Sequence, residues 1–103
     1  MIEIQKKCGA GYHLHSKGHA GTAPRGKDIV CAAVSVLMYT AAQLLLDEQD
    51  MGNEGIDVKI GHGEMCLTAK ELPQDALLRL KGVETGLALV AARYPTQVKM
   101  MEE

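Results

Sequence analysis

Residues 18–37, GHAGTAPRGKDIVCAAVSVL, run from a glycine-punctuated loop straight into an apolar helix, and what must cover that helix decides the fold. Gly18, Gly21 and Gly26 together with Pro24 predict a flexible surface loop over Gly18 to Lys27. Asp28 then suits an N-cap, because its carboxylate can accept the N–H groups that the first helical turn leaves without intrahelical acceptors. The helix runs from there to about Glu48, roughly 20 residues or about 30 Å. Between Ile29 and Met38 it is apolar on almost every side except at Ser35. A helix apolar all round must be covered all round, and one sheet in so small a chain covers only one side. The pattern therefore predicts a homodimer, and Ala32, Ala33, Ala41 and Ala42 leave room for close approach. Asp47, Glu48, Gln49 and Asp50, followed by Gly52, Asn53 and Gly55, read as a solvated acidic turn that stops the helix.

Working outward, Met1 to Lys7 alternates apolar and polar residues, the period of a half-buried strand. Cys8 to Gly11 reads as a turn, and Tyr12 to Lys17 alternates again, so the chain opens with a hairpin. Ile56 to Ile60 and Glu64 to Ala69 form a second strand pair about the Gly61-His62-Gly63 turn. Pro73 to Tyr94 is a second helix, started by Pro73 and stopped before Pro95. Its stripe is Leu77, Leu80, Glu84, Leu87 and Val90 or Ala91. Thr96 to Glu102 is a last strand. Strand pairs joined by short turns favour an antiparallel sheet. The expectation is one α+β domain over 1–103, in two layers: about five mostly antiparallel strands in the order β-β-α-β-β-α-β, with two helices packed on them.

At 103 residues the chain builds one core, and without Trp or Phe that core is aliphatic. A net charge of -2 with no Lys/Arg cluster argues against direct binding of nucleic acid. The first residues lack a basic start with an apolar stretch, and no apolar run reads as long enough to span a bilayer, so a cytoplasmic protein with no membrane partner is expected. Cys8, Cys31 and Cys66 show no CxxC spacing, which disfavours a disulfide framework or a zinc knuckle. The motifs call for no cofactor and no metal.

The chemistry concentrates on the opening stretch. Cys31 falls in the first turn of the helix, where the helix dipole and the first-turn N–H groups favour the anionic form of a thiol. An imidazole nearby stabilises that anion and can protonate a leaving group, and His19 is the one histidine in the loop. The same N–H groups suit the oxyanion of an acyl-transfer intermediate. Gly18, Gly21 and Gly26 would let the loop open and close over a substrate. The reaction class is acyl transfer to water, as in a cysteine peptidase. Asp28 either orients His19 or simply caps the helix; Ser35, one turn beyond Cys31, either bonds near the site or back-bonds to its own helix. The plain alternative is that Cys31 is a small buried hydrophobe. His13 and His15 share a strand face without enough company for a metal, and His62 with Cys66 spans a turn, so structural roles fit them better.

Gly18-His19-Ala20, Gly26, Asp28-Ile29-Val30-Cys31-Ala32 and Ser35 resemble the bacterial ribosomal-processing cysteine proteases, the Prp family. The resemblance implies a homodimeric endopeptidase that removes a short N-terminal extension from a large-subunit ribosomal protein, the one usually numbered twenty-seven. It puts the nucleophile on Cys31 and the general base on His19, with Asp28 and Ser35 near the site and a flexible glycine-rich loop between His19 and Cys31. Thr22-Ala23-Pro24 stiffens part of that loop. The alternative function is a non-catalytic ribosome-associated assembly or binding factor, in which Cys31 is core and the loop a docking surface.

Overall fold

The structure is a computed structural model that describes residues 1–7, 9, 11–18 and 29–103. Its elements are β1 (Ile2–Lys7), β2 (Tyr12–Gly18), α1 (Ile29–Asp50), β3 (Ile56–Gly61), β4 (Glu64–Ala69), α2 (Gln74–Arg93) and β5 (Val98–Glu102). The order is the one the sequence predicts. The strands form a single sheet in the spatial order β3-β4-β2-β1-β5, antiparallel except where β5 pairs with β1. That parallel pair follows from the connection. A helix rather than a tight turn joins β4 to β5, and a crossover of that length returns the chain in the same direction. The β2–α1–β3 connection does the same across β4.

Both helices cover one face, giving two layers. Strand alternation selects that face: Ile2 and Ile4 of β1, Leu14 of β2 and Leu67 of β4 are buried, while their neighbours in sequence point to the other side. From above, α1 contributes Val30, Val34, Met38, Ala41 and Leu45, and α2 contributes Leu80, Val83 and Leu87. The core is aliphatic, as the composition requires, with Tyr12 its one buried aromatic among the described residues.

Three details depart from the sequence reading. The α2 stripe begins at Ala76 rather than Leu77; four-residue steps back from Leu80 end on Ala76, whereas Leu77, three back, falls on the flank and is 38% exposed. The acidic segment is not simply a solvated turn. Asp47 to Asp50 continue α1, the reversal comes at Gly52 (φ 97°), and Glu48 is buried, accepting hydrogen bonds from Arg79 of α2 (2.7 Å) and from Asn53. A buried carboxylate is held only when partners replace its water, so this acid ties the end of α1 to α2. Finally, α1 is long and apolar enough, by length and composition, to cross a bilayer, with 22 residues and a mean hydropathy of 2.1. This differs from the expectation drawn from Ile29 to Met38, because the apolar character continues through Ala41, Ala42 and Leu44 to Leu46. In this fold a row of α1 residues covers the sheet, and Ile29, Val36 and Tyr39 remain exposed.

Candidate active site

The site is assembled by the start of α1 and by one end of the sheet. Cys31 is the third residue of α1 and is half-buried. Val30 and Val34 beside it are buried in the core and fix the rotation of the helix about its axis. That rotation turns Cys31, Ser35 and Tyr39, spaced at four-residue steps, along one stripe. All three line a cleft of about 140 Å³. Its opposite wall is the end of β2 at Gly18 and the β3–β4 turn at Gly61 and Gly63, with Glu64 and Met65 beyond.

Glycine is needed at two of these wall positions. Gly63 (φ 73°) completes the two-residue turn between Gly61 and Glu64. Gly18 has φ 107°, and a Cβ there would lie 2.2 Å from the Met1 carbonyl oxygen. Its N–H donates to the Gly63 carbonyl at 2.9 Å. The chain is thus clamped between the start of β1 and the β3–β4 turn at the residue that precedes His19.

His19, Gly21, Gly26 and Asp28 lie outside the described residues, as does Cys8. The segment that carries the first four leaves the described structure at Gly18, on the cleft wall, and returns at Ile29, two residues before Cys31. Of the residues singled out in the sequence, the structure therefore brings Gly18, Cys31 and Ser35 to one cleft. Tyr39, Gly61, Gly63 and Glu64 were not anticipated. For Tyr39 a signal existed, since it continues the Cys31–Ser35 stripe by one more turn. For the others none did, because sheet pairing alone carries them to the helix start.

The remaining polar side chains sort by face. His13 and His15 project from the side of the sheet away from the helices, where His15 Nε2 meets Glu64 Oε2 at 2.6 Å and the two imidazoles stand edge to face. Partial burial, then the charges of Lys7 and His15, holds His13 below its usual range. Among the described residues no group of three His, Cys, Asp or Glu side chains is placed to hold a metal ion. A larger hollow of about 670 Å³, around Lys7, His13, Asp57 and Lys70, lies at the other end of the strands and includes neither Cys31 nor Ser35.

Chemically, the cleft offers a thiol at a helix N-terminus with bare glycine backbone opposite it. First-turn N–H groups, left without intrahelical acceptors, suit an oxyanion formed beside that sulfur. Glycine walls let an extended backbone approach closely.

The family model described as cysteine protease Prp matches residues 1–99. Among solved structures, the essential ribosomal processing protease Prp from S. aureus in complex with a covalently linked product peptide superposes with a TM-score of 0.85 at 18% identity, covering 100% of both chains. The same S. aureus protease with a substrate peptide gives 0.76 at 17% identity, again over 100% of both chains. SMU.848 from Streptococcus mutans gives 0.68 at 23% identity, covering 100% of this chain and 96% of the other. At these identities the likenesses establish a shared fold. No match is found among curated proteins.

Proposed function

Because the chain belongs to the cysteine protease Prp family, we propose that it is the endopeptidase that removes an N-terminal extension from a large-subunit ribosomal protein during ribosome maturation. The observation that carries this reading is the position of Cys31, in the first turn of α1 and open to the cleft whose far wall is the Gly18 end of the loop bearing His19.

In the proposed reaction the Cys31 thiolate attacks the carbonyl carbon of the scissile peptide bond. The resulting oxyanion is met by N–H groups of the first turn of α1. His19, as imidazolium, gives a proton to the departing amine, and the peptide bond breaks to leave a thioester on Cys31. Imidazole then takes a proton from water, whose oxygen attacks the thioester and displaces the thiolate; the product acid ionises to carboxylate, and the Cys31 thiolate and His19 imidazolium are restored. Asp28 caps the helix or orients His19, and Ser35 supports the site from one turn further along. Gly21 and Gly26, with Gly18, let the loop admit the substrate. The enzyme works in the cytoplasm as a homodimer paired through the exposed apolar side of α1, and it needs no cofactor. The substrate assignment is supported by the S. aureus protease of the same fold, which is a ribosomal processing protease observed with substrate and product peptides.

The test is to incubate the protein and its Cys31→Ala variant with the extended precursor of the ribosomal protein and to weigh the products. The expected result is removal of one defined N-terminal segment by the parent and none by the variant. Binding of the precursor by both, with cleavage by neither, would replace the peptidase with a non-catalytic assembly factor.

A further inference from the structure

We propose that a substrate peptide is captured as an added strand on the open edge of β3, extended along that edge and delivered at its Gly61 end to the Cys31 cleft; this rests on the peptidase reading above. The direction of the β3 backbone groups follows from two hydrogen bonds. Lys70 N–H donates to the Gly55 carbonyl (3.1 Å), which extends the β3–β4 register by one pair, and Gly18 N–H donates to Gly63, which does the same between β2 and β4. Because hydrogen-bonded pairs alternate along an antiparallel ladder, Asp57, Lys59 and Gly61 bond to β4. Ile56, Val58 and Ile60 therefore turn their N–H and C=O groups outward, and among the described residues nothing accepts or donates to them.

Exposed sheet edges are ordinarily blunted by proline, a bulge, a very short strand or an inward-pointing charge. β3 shows none of these: it is six residues long, has no proline, and keeps unbroken register with β4. Its one lysine, Lys59, lies on the sheet face away from the helices with Asp57 (3.4 Å). The outward backbone groups belong instead to Ile56, Val58 and Ile60, whose cross-strand partners Ala69, Leu67 and Met65 are buried, so these side chains lie on the helix side. Ile60 is 51% exposed there, and Tyr39 of α1, 54% exposed, lines the cleft into which β3 runs.

This edge leads directly into the Cys31 cleft, because Gly61, the last residue of β3, is part of its wall. The other sheet edge, β5, contributes nothing to that cleft. A peptide added to β3 would bond its backbone to Ile56, Val58 and Ile60 and send every second side chain toward the helix layer. The occupant is thus an extended segment with apolar residues at alternate positions.

The experiment uses the Cys31→Ala variant, which binds without turnover, and a synthetic peptide spanning the N-terminal extension of the ribosomal protein precursor. Amide hydrogen exchange is read with and without the peptide. The expected result is slowed exchange at Ile56, Val58 and Ile60, with Asp57 and Lys59 little changed. Adding Ile60→Pro, which removes an outward donor at a half-exposed side chain outside the core and no β3–β4 bond, should weaken peptide binding about tenfold while leaving thermal unfolding of the variant unchanged within a few degrees. Protection elsewhere only, protection that depends on protein concentration and not on peptide, or unchanged affinity in a folded Ile60→Pro variant would each overturn the proposal. Cleavage by the parent protein is measured alongside: cleavage without β3 protection removes strand addition and keeps the peptidase, whereas β3 protection without cleavage does the reverse.

Discussion

Lys6, Tyr12 and Glu84 meet where β1, β2 and α2 converge, and the single carboxylate accepts from both the ammonium and the phenol. Glu84 is buried, so these partners stand in for its lost water. Burial, then the hydrogen bond and the charge of Glu84, raises the Tyr12 phenol well above its usual range. The folded chain therefore favours neutral Tyr12 more than the unfolded chain does. The contribution is fully present below about pH 10, where an unfolded tyrosine begins to ionise, and is lost as pH rises beyond it. Tyr12→Phe should cost about 1 kcal/mol at neutral pH, and the gap to the parent should narrow in alkali; urea unfolding at both pH values measures it. None of this was legible in the sequence. Glu84 could be placed on the α2 stripe, but its partners lie 72 and 78 positions away. Glu48 failed for the same reason, since Arg79 is 31 positions from it. Cys31 was legible, because its place in the first helical turn depends only on neighbouring residues.

The two helices are joined along a seam where Gly86 of α2 faces Leu37 of α1. A Cβ at Gly86 would sit 2.9 Å from a Leu37 methyl, whereas a Cβ at Gly82, one turn earlier, meets nothing within 4 Å. Alanine in place of a helical glycine stabilises by about 0.5–1 kcal/mol when space allows. Gly82→Ala should gain that amount, and Gly86→Ala should gain less or lose stability as Leu37 is pushed aside. Paired thermal melts compare them. The elements themselves were readable, because period-2 runs, Pro73, Pro95 and the Gly61–Gly63 turn are local signals. The sheet order was not. Nothing near Val98 announces that β5 crosses over to lie parallel to Ile2–Lys6, since that pairing is set by where α2 packs.

At the scale of the molecule, the apolar character of α1 divides in two: one side covers the sheet, and Ile29 (70% exposed) and Val36 (64%) face outward. The proposed homodimer buries that outward side. Light scattering should give twice the 11.1 kDa chain mass, and Val36→Glu, which alters no core contact, should return the monomer. The sequence pointed to unusual cover for this helix but not to which side needed it, because that depends on how α1 rotates over the sheet. The fold also sets Cys31 apart from Cys66: Cys31 begins a helix at a cleft, while Cys66 lies mid-strand. The role of Cys31 as nucleophile is tested by alkylating the folded protein near pH 6 and following each cysteine by peptide mass. Cys31 should react well ahead of Cys66 and Cys8. Modification of Cys31 no faster than of Cys66, or only as the protein unfolds, would contradict it.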